Sequence, residues 1–249
     1  MSYNPFSLQG KKVLVTGASS GIGRATAIEC SRLGAQVVAT GRDADRLQQT
    51  MQSLAGEGHT AILADLADLS ETERLVAEMP AVDGVVNNAG INIMQPVQFI
   101  KAEDLQRLLR VNLEAPIMLT RTLVKRMKIN KGGSIVFTAS IAGEKTPGIG
   151  NNIYSASKGG IISFMHNAAL ELASKGIRCN AVCPGMIETP LIHKDILCKE
   201  DIQSNIDHYP LKRYGRPEEV AYAIVYLLSD ASQWVTGSEL IIDGGRTLK

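Results

Sequence analysis

Short apolar runs alternate with longer amphipathic stretches along nearly the whole chain. Seven runs of four to six residues are mostly apolar and predict strands: Lys11–Thr16, Gln36–Thr40, Thr60–Ala64, Gly84–Asn87, Ser134–Ala139, Ile177–Val182 and Glu239–Ile242. The stretches between them predict helices: one that begins at Gly21, then Ala44–Leu54, Ser70–Met79, Ala102–Met127 with a bend near Pro116, Tyr154–Ser174 and Pro217–Leu228. Uniformly apolar strands separated by helices indicate a parallel sheet covered on both faces. We therefore predict one α/β domain, residues 1–249, with a doubly wound sheet of seven strands.

Composition narrows the class of protein without identifying it. Hydrophobic residues make up 45% of the 249 residues, and the net charge of +1 gives no general attraction to nucleic acid or to an acidic membrane. No apolar run reaches the ~18 residues that a membrane helix needs. The segment before Gly10 also lacks the apolar core of a signal peptide. We expect a cytoplasmic protein with no nucleic-acid or membrane partner.

The cysteines do not suggest a metal site or a disulfide framework. Cys30, Cys179, Cys183 and Cys198 show neither C-x-x-C spacing nor a paired histidine spacing. Cys179 and Cys183 lie in an apolar predicted strand, where a buried and unreactive thiol is the usual case. No metal ligand is predicted.

A glycine-rich loop follows the first predicted strand. Residues 16–23 read T-G-A-S-S-G-I-G and lead into a helix. Glycines let the backbone approach a pyrophosphate closely, and a helix N-terminus offers free N–H groups and a partial positive charge. The spacing differs from the general G-x-G-x-x-G fingerprint, but its place after a first strand indicates a dinucleotide site.

The end of the second predicted strand indicates which dinucleotide is preferred. Folds that prefer NAD carry an acidic residue there, which binds the ribose 2′-hydroxyl. This chain reads Thr40-Gly41-Arg42 at that place. A guanidinium group matches phosphate oxygens in a planar, bidentate way. We therefore predict that Arg42 binds a 2′-phosphate and that NADP(H) is preferred over NAD(H).

The segment Ile153–Gly160, I-Y-S-A-S-K-G-G, begins a predicted helix. Tyr154 and Lys158 are four residues apart, so their side chains share one helix face. An ammonium group nearby favours the phenolate, and we predict that Lys158 lowers the tyrosine pKa by roughly 1–3 units from about 10. The pair is a candidate acid/base, although the same spacing is also found on ordinary helix surfaces.

Several separated motifs together resemble the short-chain dehydrogenase/reductase family, over essentially the whole chain. They are T-G-A-S-S-G-I-G at 16–23, Asp65-Leu66, N-N-A-G at 87–90, Asn112 in V-N-L, Ser140, Y-S-A-S-K at 154–158, Pro184-Gly185 with Thr189, and Asp243-Gly244-Gly245. One such match is easy to find by chance, whereas all of them in order are not. The resemblance implies a Rossmann-type fold and an NAD(P)-dependent oxidoreductase.

The resemblance also implies a role for individual residues. Those expected to bind the cofactor are Gly17, Ser19, Ser20, Gly21, Ile22, Gly23, Arg42, Asp65, Leu66, Asn87, Ala89, Gly90, Tyr154, Lys158, Pro184, Gly185, Ile187 and Thr189. Among them, Asn87 is expected to be more structural than chemical. The family's catalytic tetrad falls on Asn112, Ser140, Tyr154 and Lys158.

The tetrad also makes chemical sense from the residue types. Ser140 can hydrogen-bond a carbonyl oxygen that gains charge, and Tyr154 can donate or remove a proton. Asn112 lies inside a predicted helix, an unfavourable place for asparagine unless its side chain has another function. We expect it to open the helix enough to hold a water that links Lys158 to solvent.

The substrate is less well defined by the sequence. Within the family the chain is most similar to 3-oxoacyl-acyl-carrier-protein reductases, in residues 176–189, 215–221 and 235–245, so the first prediction is reduction of a 3-oxoacyl thioester in fatty acid synthesis. Lys131 and Lys175, with Lys125, Arg126 and Lys128 nearby, would dock an acidic carrier protein or are simply solvated. However, Glu144–Pro147 and Asn151-Asn152 differ from the small, glycine-rich sequence expected of such a reductase.

Two other functions remain open. One is a sugar, polyol or hydroxysteroid dehydrogenase on the same scaffold. The other is a nucleotide-sensing protein without catalysis, which the complete tetrad argues against. The resemblance further implies a homotetramer, in which the helices at Val220–Leu228 and Tyr154–Ser174 bury faces against copies of themselves.

Overall fold

The computed structural model describes residues 3–126, 129–190 and 199–249. Seven parallel strands form one sheet in the order β3-β2-β1-β4-β5-β6-β7. They are β1 Lys12–Thr16, β2 Gln36–Gly41, β3 Thr60–Leu63, β4 Val82–Asn87, β5 Ile129–Thr138, β6 Arg178–Pro184 and β7 Glu239–Ile242. The chain starts in the middle of the sheet, winds to one edge, and returns to build the other half. The predicted doubly wound α/β fold is confirmed.

Eight α-helices are assigned among the described residues. They are α1 Gly21–Arg32, α2 Ala44–Met51, α3 Ser70–Glu78, α4 Ala102–Leu109, α5 Ala115–Lys125, α6 Asn152–Leu172, α7 Lys199–Asp207 and α8 Pro217–Leu228. In this part of the chain no helix is long and apolar enough to cross a membrane.

Each face of the sheet is covered by its own apolar core. On one face, side chains of α3, α5 and α6 such as Leu75, Leu119 and Ile161 pack against β4, β5 and β6. On the other, Ala27 of α1 and Val220 and Ile224 of α8 pack against β1 and its neighbours. Strands buried on both faces are expected to be uniformly apolar, which explains why the sequence pattern identified them.

Two predicted elements differ from the structure. The helix predicted over Ala102–Met127 is divided into α4 and α5 by a five-residue π-helical segment, Arg110–Glu114. The predicted bend therefore begins before Pro116, which lies in the first turn of α5. Strand β5 begins at Ile129, earlier than predicted, because its start pairs with Val82 across a register shift. Gly132 and Gly133 interrupt the apolar run, so the sequence pattern did not show this part of the strand.

The cysteines in the described residues are free and buried, as predicted for Cys179 and Cys183. Burial raises the pKa of Cys30, Cys179 and Cys183 to about 12 in each case. These thiols are therefore protonated and unreactive at neutral pH. Cys198 lies outside the described residues.

Candidate active site

The carboxyl ends of β1, β4 and β5 are joined by a small hydrogen-bond network. Thr16 Oγ1 accepts from the backbone N–H groups of Asn88 at 2.9 Å and Ala89 at 3.0 Å, and donates to Val86 O at 3.1 Å. The Asn88 side chain donates to Thr16 O at 3.1 Å and accepts from Thr138 Oγ1 at 3.3 Å. This network fixes three strand ends relative to one another, at the edge where ligands bind in doubly wound sheets.

Asn88 and Thr138 are structural members of the site that the sequence reasoning missed. The signal in the sequence was the doublet Asn87-Asn88, because the side chains of consecutive residues in an extended chain point to opposite faces. Asn87 points into the core and donates to Thr120 Oγ1 at 3.5 Å, in agreement with its predicted structural role. Asn88 is the one that turns toward the glycine loop.

The glycine loop packs tightly against this network. A Cβ at Gly17 would lie 2.9 Å from Ala89 Cα, and one at Gly23 would lie 2.2 Å from Gly17 O. Glycine is therefore required at both positions for packing, apart from any ligand. At Gly21, where φ is +53°, a Cβ would lie 3.1 Å from Thr189 Cγ2. The loop after β1 and the loop after β6, which are both predicted to bind the cofactor, therefore lie side by side.

Ser140 follows β5 and begins a short 3₁₀ turn, Ile141–Gly143. Its Oγ accepts from Ala142 N at 3.2 Å. The turn lies directly on α6, where a Cβ at Gly143 would be 3.0 Å from Gly159 N. This close glycine contact brings Ser140 beside Tyr154, in the first turn of α6.

Lys158 is buried, with only 5% of its surface exposed. Its Nζ donates to Thr138 O at 2.7 Å and lies 5.7 Å from the centre of the Tyr154 ring. An ammonium group has three donors, and Thr138 uses one of them. The structure therefore places Ser140, Tyr154 and Lys158 together at the carboxyl end of β5.

The predicted effect of Lys158 on Tyr154 is not found. Burial raises the pKa of the Tyr154 phenol, and the Ser140 hydroxyl beside it acts in the opposite direction. Burial also lowers the pKa of Lys158, from 10.5 to about 8. The spacing of the two residues predicted their proximity, but it carried no information about the loss of water around them, which is the larger effect here.

Asn112 lies in the π-helical segment and is also buried. Its side chain accepts from Ile91 N and donates to Ile91 O, both at 2.9 Å, and donates to Ser157 Oγ at 3.2 Å. Ser157 Oγ in turn donates to Tyr154 O at 2.7 Å. Asn112 thus ties the chain after β4 to the first turn of α6. Ser157, one turn from Tyr154, was missed although it falls inside the Y-S-A-S-K motif.

The π-helical segment explains how a helix can accommodate Asn112. Ala115 N donates to Arg110 O, five residues earlier instead of four. Pro116 has no N–H, so it cannot supply the bond that the Asn112 carbonyl would receive in an α-helix. Such π insertions are frequent at functional sites. The expectation that Asn112 opens the helix agrees with this geometry, while the water it was predicted to hold stays a prediction.

Arg42 follows β2 directly and its side chain is exposed; no described residue forms a hydrogen bond or ion pair with it, and its charge adds only a minor contribution to lowering the pKa of Asp43. The next residue, Asp43, is occupied elsewhere. Its carboxylate accepts from Arg46 N at 2.9 Å and Arg46 Nε at 2.8 Å, and these bonds lower its pKa. At the end of β2, therefore, a free guanidinium is available and the nearby carboxylate is already paired.

Two further predicted groups flank the same edge. Ala64 N donates to Gly41 O at 3.1 Å, which places the exposed Asp65 and the buried Leu66 beside the end of β2. After β6, Gly185 N donates to Ile242 O at 2.9 Å and Ile187 is buried.

The loop after β6 is held by residues that the sequence did not reveal. Met186 N donates to the Tyr209 hydroxyl at 3.0 Å. Glu188 N donates to Gly215 O at 2.9 Å, and Gly215 N donates to Met186 O at 3.0 Å. Tyr209 comes far later in the chain than Met186, so no local pattern could have connected them.

These features fit a dinucleotide. The N-terminus of α1 has no side-chain cap and no acidic residue in its first turn, which suits a pyrophosphate. A Cβ at Gly90 would fill the space between Asn112 Oδ1, at 3.4 Å, and Lys158 Nζ, at 3.6 Å. That space lies next to the tetrad and is lined by a donor and an acceptor, as sugar hydroxyls require.

Known proteins are similar to this chain over nearly its whole length. A family model described as enoyl-(acyl carrier protein) reductase matches residues 17–247. The glucose 1-dehydrogenase of Gluconobacter oxydans is 38% identical over 248 residues, which cover 96% of this chain and 92% of that protein. The 3-oxoacyl-acyl-carrier-protein reductase of Thermotoga maritima is 39% identical over 245 residues, covering 96% and 98%. This chain belongs to the short-chain dehydrogenase/reductase family.

The family binds NAD(P) and oxidises or reduces CH–OH and carbonyl groups. A solved structure from Agrobacterium tumefaciens, a putative 2-deoxy-D-gluconate 3-dehydrogenase with bound NADP, superposes with a TM-score of 0.91. It is 33% identical, and the match covers 99% of this chain and 100% of that one. Membership of the family and the Rossmann-type fold expected from the resemblance are both confirmed.

Proposed function

We propose that this protein is an NADP(H)-dependent oxidoreductase that interconverts a secondary alcohol and a ketone. The observation that carries this proposal is the placement of Ser140 and Tyr154 with the buried ammonium group of Lys158 at the carboxyl end of β5. The glycine loop, Arg42 and the loop after β6 follow parallel strands that end at the same edge of the sheet. A non-catalytic sensor would not need a buried lysine beside a tyrosine hydroxyl.

The residues have distinct roles in the proposed reaction. The dinucleotide, when bound, supplies a hydride to the substrate carbon or accepts one from it. Ser140 Oγ donates a hydrogen bond to the substrate oxygen, which stabilises its developing negative charge. The Tyr154 hydroxyl gives a proton to that oxygen in reduction and removes it in oxidation. Because burial raises its pKa, the phenol is protonated at neutral pH and ready to act as an acid.

Lys158 supports this chemistry by its charge and its free donors. Thr138 O takes one of its three N–H groups, and the space beside Gly90 lets the others reach the nicotinamide ribose. Once Tyr154 has given up its proton, the ammonium group faces a charged phenolate and stabilises it, although in the resting protein burial is the larger effect and the pKa of Tyr154 is raised. Asn112 holds Ile91 and the first turn of α6 in the arrangement this requires.

The preference for NADP(H) is attributed to Arg42. Its guanidinium is unpaired among the described residues, whereas the carboxylate of Asp43 is held by Arg46. A 2′-phosphate would gain a charge-assisted, bidentate bond there. The residues that would hold the remainder of the cofactor are the glycine loop, Asp65 and Leu66, Ala89 and Gly90, and residues 184–189.

Two substrate classes follow from the site and the relatives. The first is a 3-oxoacyl thioester, supported by the reductase relative and by the exposed apolar side chains of Met94 and Ile149 near the site. The second is a sugar or polyol, supported by the sugar dehydrogenase relative and by the amide side chains of Asn92, Asn151 and Asn152.

The predicted docking of a carrier protein involves another part of the chain. Lys175 lies just beyond α6, and this 21-residue helix separates it from Tyr154, roughly 30 Å at 1.5 Å per residue. Arg126 pairs with Glu73 at 3.5 Å. Lys128 and the side chain of Lys131 lie outside the described residues. Docking of a carrier protein by these basic residues, for delivery to the active site of the same protomer, therefore stays a prediction.

A screen of carbonyl compounds tests the proposed reaction. The panel contains an acetoacetyl thioester, keto sugars, quinones and steroid ketones, and the loss of NADPH or NADH is followed by absorbance. We expect reduction of at least one ketone, with kcat/KM for NADPH at least about 10-fold above that for NADH. Failure to oxidise either cofactor with any member would contradict the proposal.

The cofactor preference has its own test. Arg42→Asp should reverse the preference, because a carboxylate repels the 2′-phosphate and can bind the ribose hydroxyls. Arg32→Ala is the matched control, because that guanidinium pairs with Glu29 at the end of α1 and leaves Asp43 untouched. If Arg42→Asp keeps the wild-type preference, or if Arg32→Ala abolishes it, the assignment to Arg42 is wrong.

A further inference from the structure

Two loops that flank the tetrad are joined by a pair of amide side chains. Asn92 follows Ile91, whose backbone is held by Asn112. Asn151 lies three residues before Tyr154, just ahead of α6. Asn92 Nδ2 donates to Asn151 Oδ1 at 3.4 Å. We call Asn92 and Asn151 the amide pair.

The loops that carry the amide pair are firmly held. Gln95 N donates to Gly150 O at 2.8 Å, and Asn152 Nδ2 donates to Gln95 O at 3.1 Å. The Gln95 side chain donates to Asp104 Oδ2 at 2.6 Å. The two loops are therefore fixed to each other and to α4, so the amide pair is pre-organised.

The amide pair leaves hydrogen-bonding capacity unused. Asn92 Oδ1 is closed off from solvent, and no described residue donates to it. No described residue accepts from Asn151 Nδ2 either. A buried acceptor without a donor is costly, and such groups in folded proteins call for an explanation. The hydrogen bond from Asn92 Nδ2 to Asn151 Oδ1 is 3.4 Å long, near the upper limit for a hydrogen bond, so it breaks at little cost.

The unused groups match the chemistry of a hydroxyl. When the bond between the two amides opens and the Asn92 side chain turns toward the cleft, one hydroxyl can donate to Asn92 Oδ1 and accept from Asn151 Nδ2 at the same time. A 3-oxoacyl thioester carries no hydroxyl beside its reacting carbon, and its thioester oxygen only accepts, so it would leave the Asn92 acceptor unsatisfied. A site built to bind a hydroxyl discriminates strongly against analogues that lack one.

We propose that the amide pair determines specificity by binding a hydroxyl group on a carbon next to the reacting carbon, which favours a polyhydroxylated substrate over an acyl thioester. This inference rests on the proposed function, since it concerns the substrate of the same site.

Two ketones that differ by one hydroxyl test the inference. Acetoin carries a hydroxyl beside its ketone, and butanone does not. We expect wild-type kcat/KM with NADPH to be about 10-fold higher for acetoin, the size of one good hydrogen bond. Asn92→Leu and Asn151→Leu should each reduce this ratio to within about 2-fold of one. Asn167→Ala, an exposed amide on the same helix, serves as the matched control and keeps the wild-type ratio.

Equal wild-type kcat/KM values for the two ketones, or a ratio that survives both leucine variants, would overturn the inference while leaving the proposed reaction intact. A binding measurement keeps it testable without turnover. Saturation-transfer NMR on the NADP⁺-loaded protein should show a stronger signal for vicinal butanediol than for secondary butanol, and Asn92→Leu should remove the difference. If neither ketone is reduced but this difference is seen, the amide pair stands, and the carbonyl screen alone decides the proposed reaction.

Discussion

Lys158 is an ammonium group buried almost completely inside the protein. Its Nζ donates to the backbone carbonyl of Thr138, and no described carboxylate forms an ion pair with it. Such a group is costly to bury, and its pKa falls to about 8 as a result. The chain therefore carries a destabilising residue at the point where the proposed chemistry needs a cation, which is the usual conflict between stability and activity.

This conflict predicts a pH-dependent stability. The folded pKa of Lys158 lies below its unfolded value of about 10.4, so between these values the unfolded chain binds more protons. The free energy of unfolding of the wild type should therefore rise with pH across this window, relative to that of Lys158→Met. The relative gain should reach about 3 kcal/mol between pH ~8 and pH ~10.4, at 1.36 kcal/mol per unit.

Urea unfolding at a series of pH values measures this difference. Lys175→Met, at an exposed lysine, is the matched control and should differ from the wild type by a constant amount. A constant difference for Lys158→Met as well would show that the pKa of Lys158 is not lowered in the folded protein.

The sequence predicted the positions of the site residues but not their electrostatics. The positions of Asn112, Ser140, Tyr154 and Lys158 followed from motifs, and the structure brings these residues together. Their electrostatics did not follow, because the pKa of Tyr154 depends on how much water the fold removes from it. Residue spacing along a helix contains no such information.

At the scale of single elements, the loop after β6 depends on one distant hydroxyl. Tyr209 accepts from Met186 N, next to Ile187, which is expected to bind the cofactor. A Cβ at Gly185 would be only 3.2 Å from the Tyr209 ring, so the loop and the ring are in close contact. We therefore predict that Tyr209 positions this loop for the cofactor.

Removal of this hydroxyl should weaken cofactor binding more than it slows chemistry. Tyr209→Phe leaves the Met186 N–H without its partner, which costs of the order of 1–3 kcal/mol. We expect KM for NADPH to rise about 5- to 10-fold while kcat stays within about 2-fold. Tyr222→Phe, on the exposed face of α8, is the control. Loss of thermal stability with an unchanged KM would mean that Tyr209 has only a structural role.

Some strands and helices were predicted better than others for a physical reason. Strands β1, β2, β6 and β7 are bounded by turns and apolar on both faces, so their existence and order followed from the pattern. The π-helical segment at Arg110–Glu114 adds one residue to a helix without changing its apolar face much, so the pattern could not show it. Strand β5 was shortened in the prediction because Gly132 and Gly133 interrupt it.

At the scale of the whole molecule, most of the apolar surface of α6 and α8 is already used inside the chain. Val220, Ile224 and Leu228 pack in the core beneath α8, and Ile161 and Met165 pack beneath α6. What remains exposed on these helices is Tyr222, at 55%, and Leu170, at 80%. We propose that these side chains lie in the contacts of a homotetramer with two-fold axes.

Light scattering tests this assembly. The wild type should have four times the 26.8 kDa mass of one chain. Leu170→Glu and Tyr222→Glu should each give a smaller species, because a buried carboxylate is costly to desolvate. Leu63→Glu changes an exposed leucine on the edge strand β3 and should keep the wild-type mass. A monomeric wild type would contradict the proposal.

The central claim is that Tyr154 transfers the proton in an NADP(H)-dependent reaction. The most direct measurement is the rate of NADPH oxidation by Tyr154→Phe with a ketone that the wild type reduces, alongside NADPH binding by fluorescence. We predict that turnover falls about 100-fold or more, the usual contribution of a general acid, while the Kd for NADPH stays within about 3-fold. Turnover that stays within about 3-fold of the wild-type rate would contradict the assignment of Tyr154.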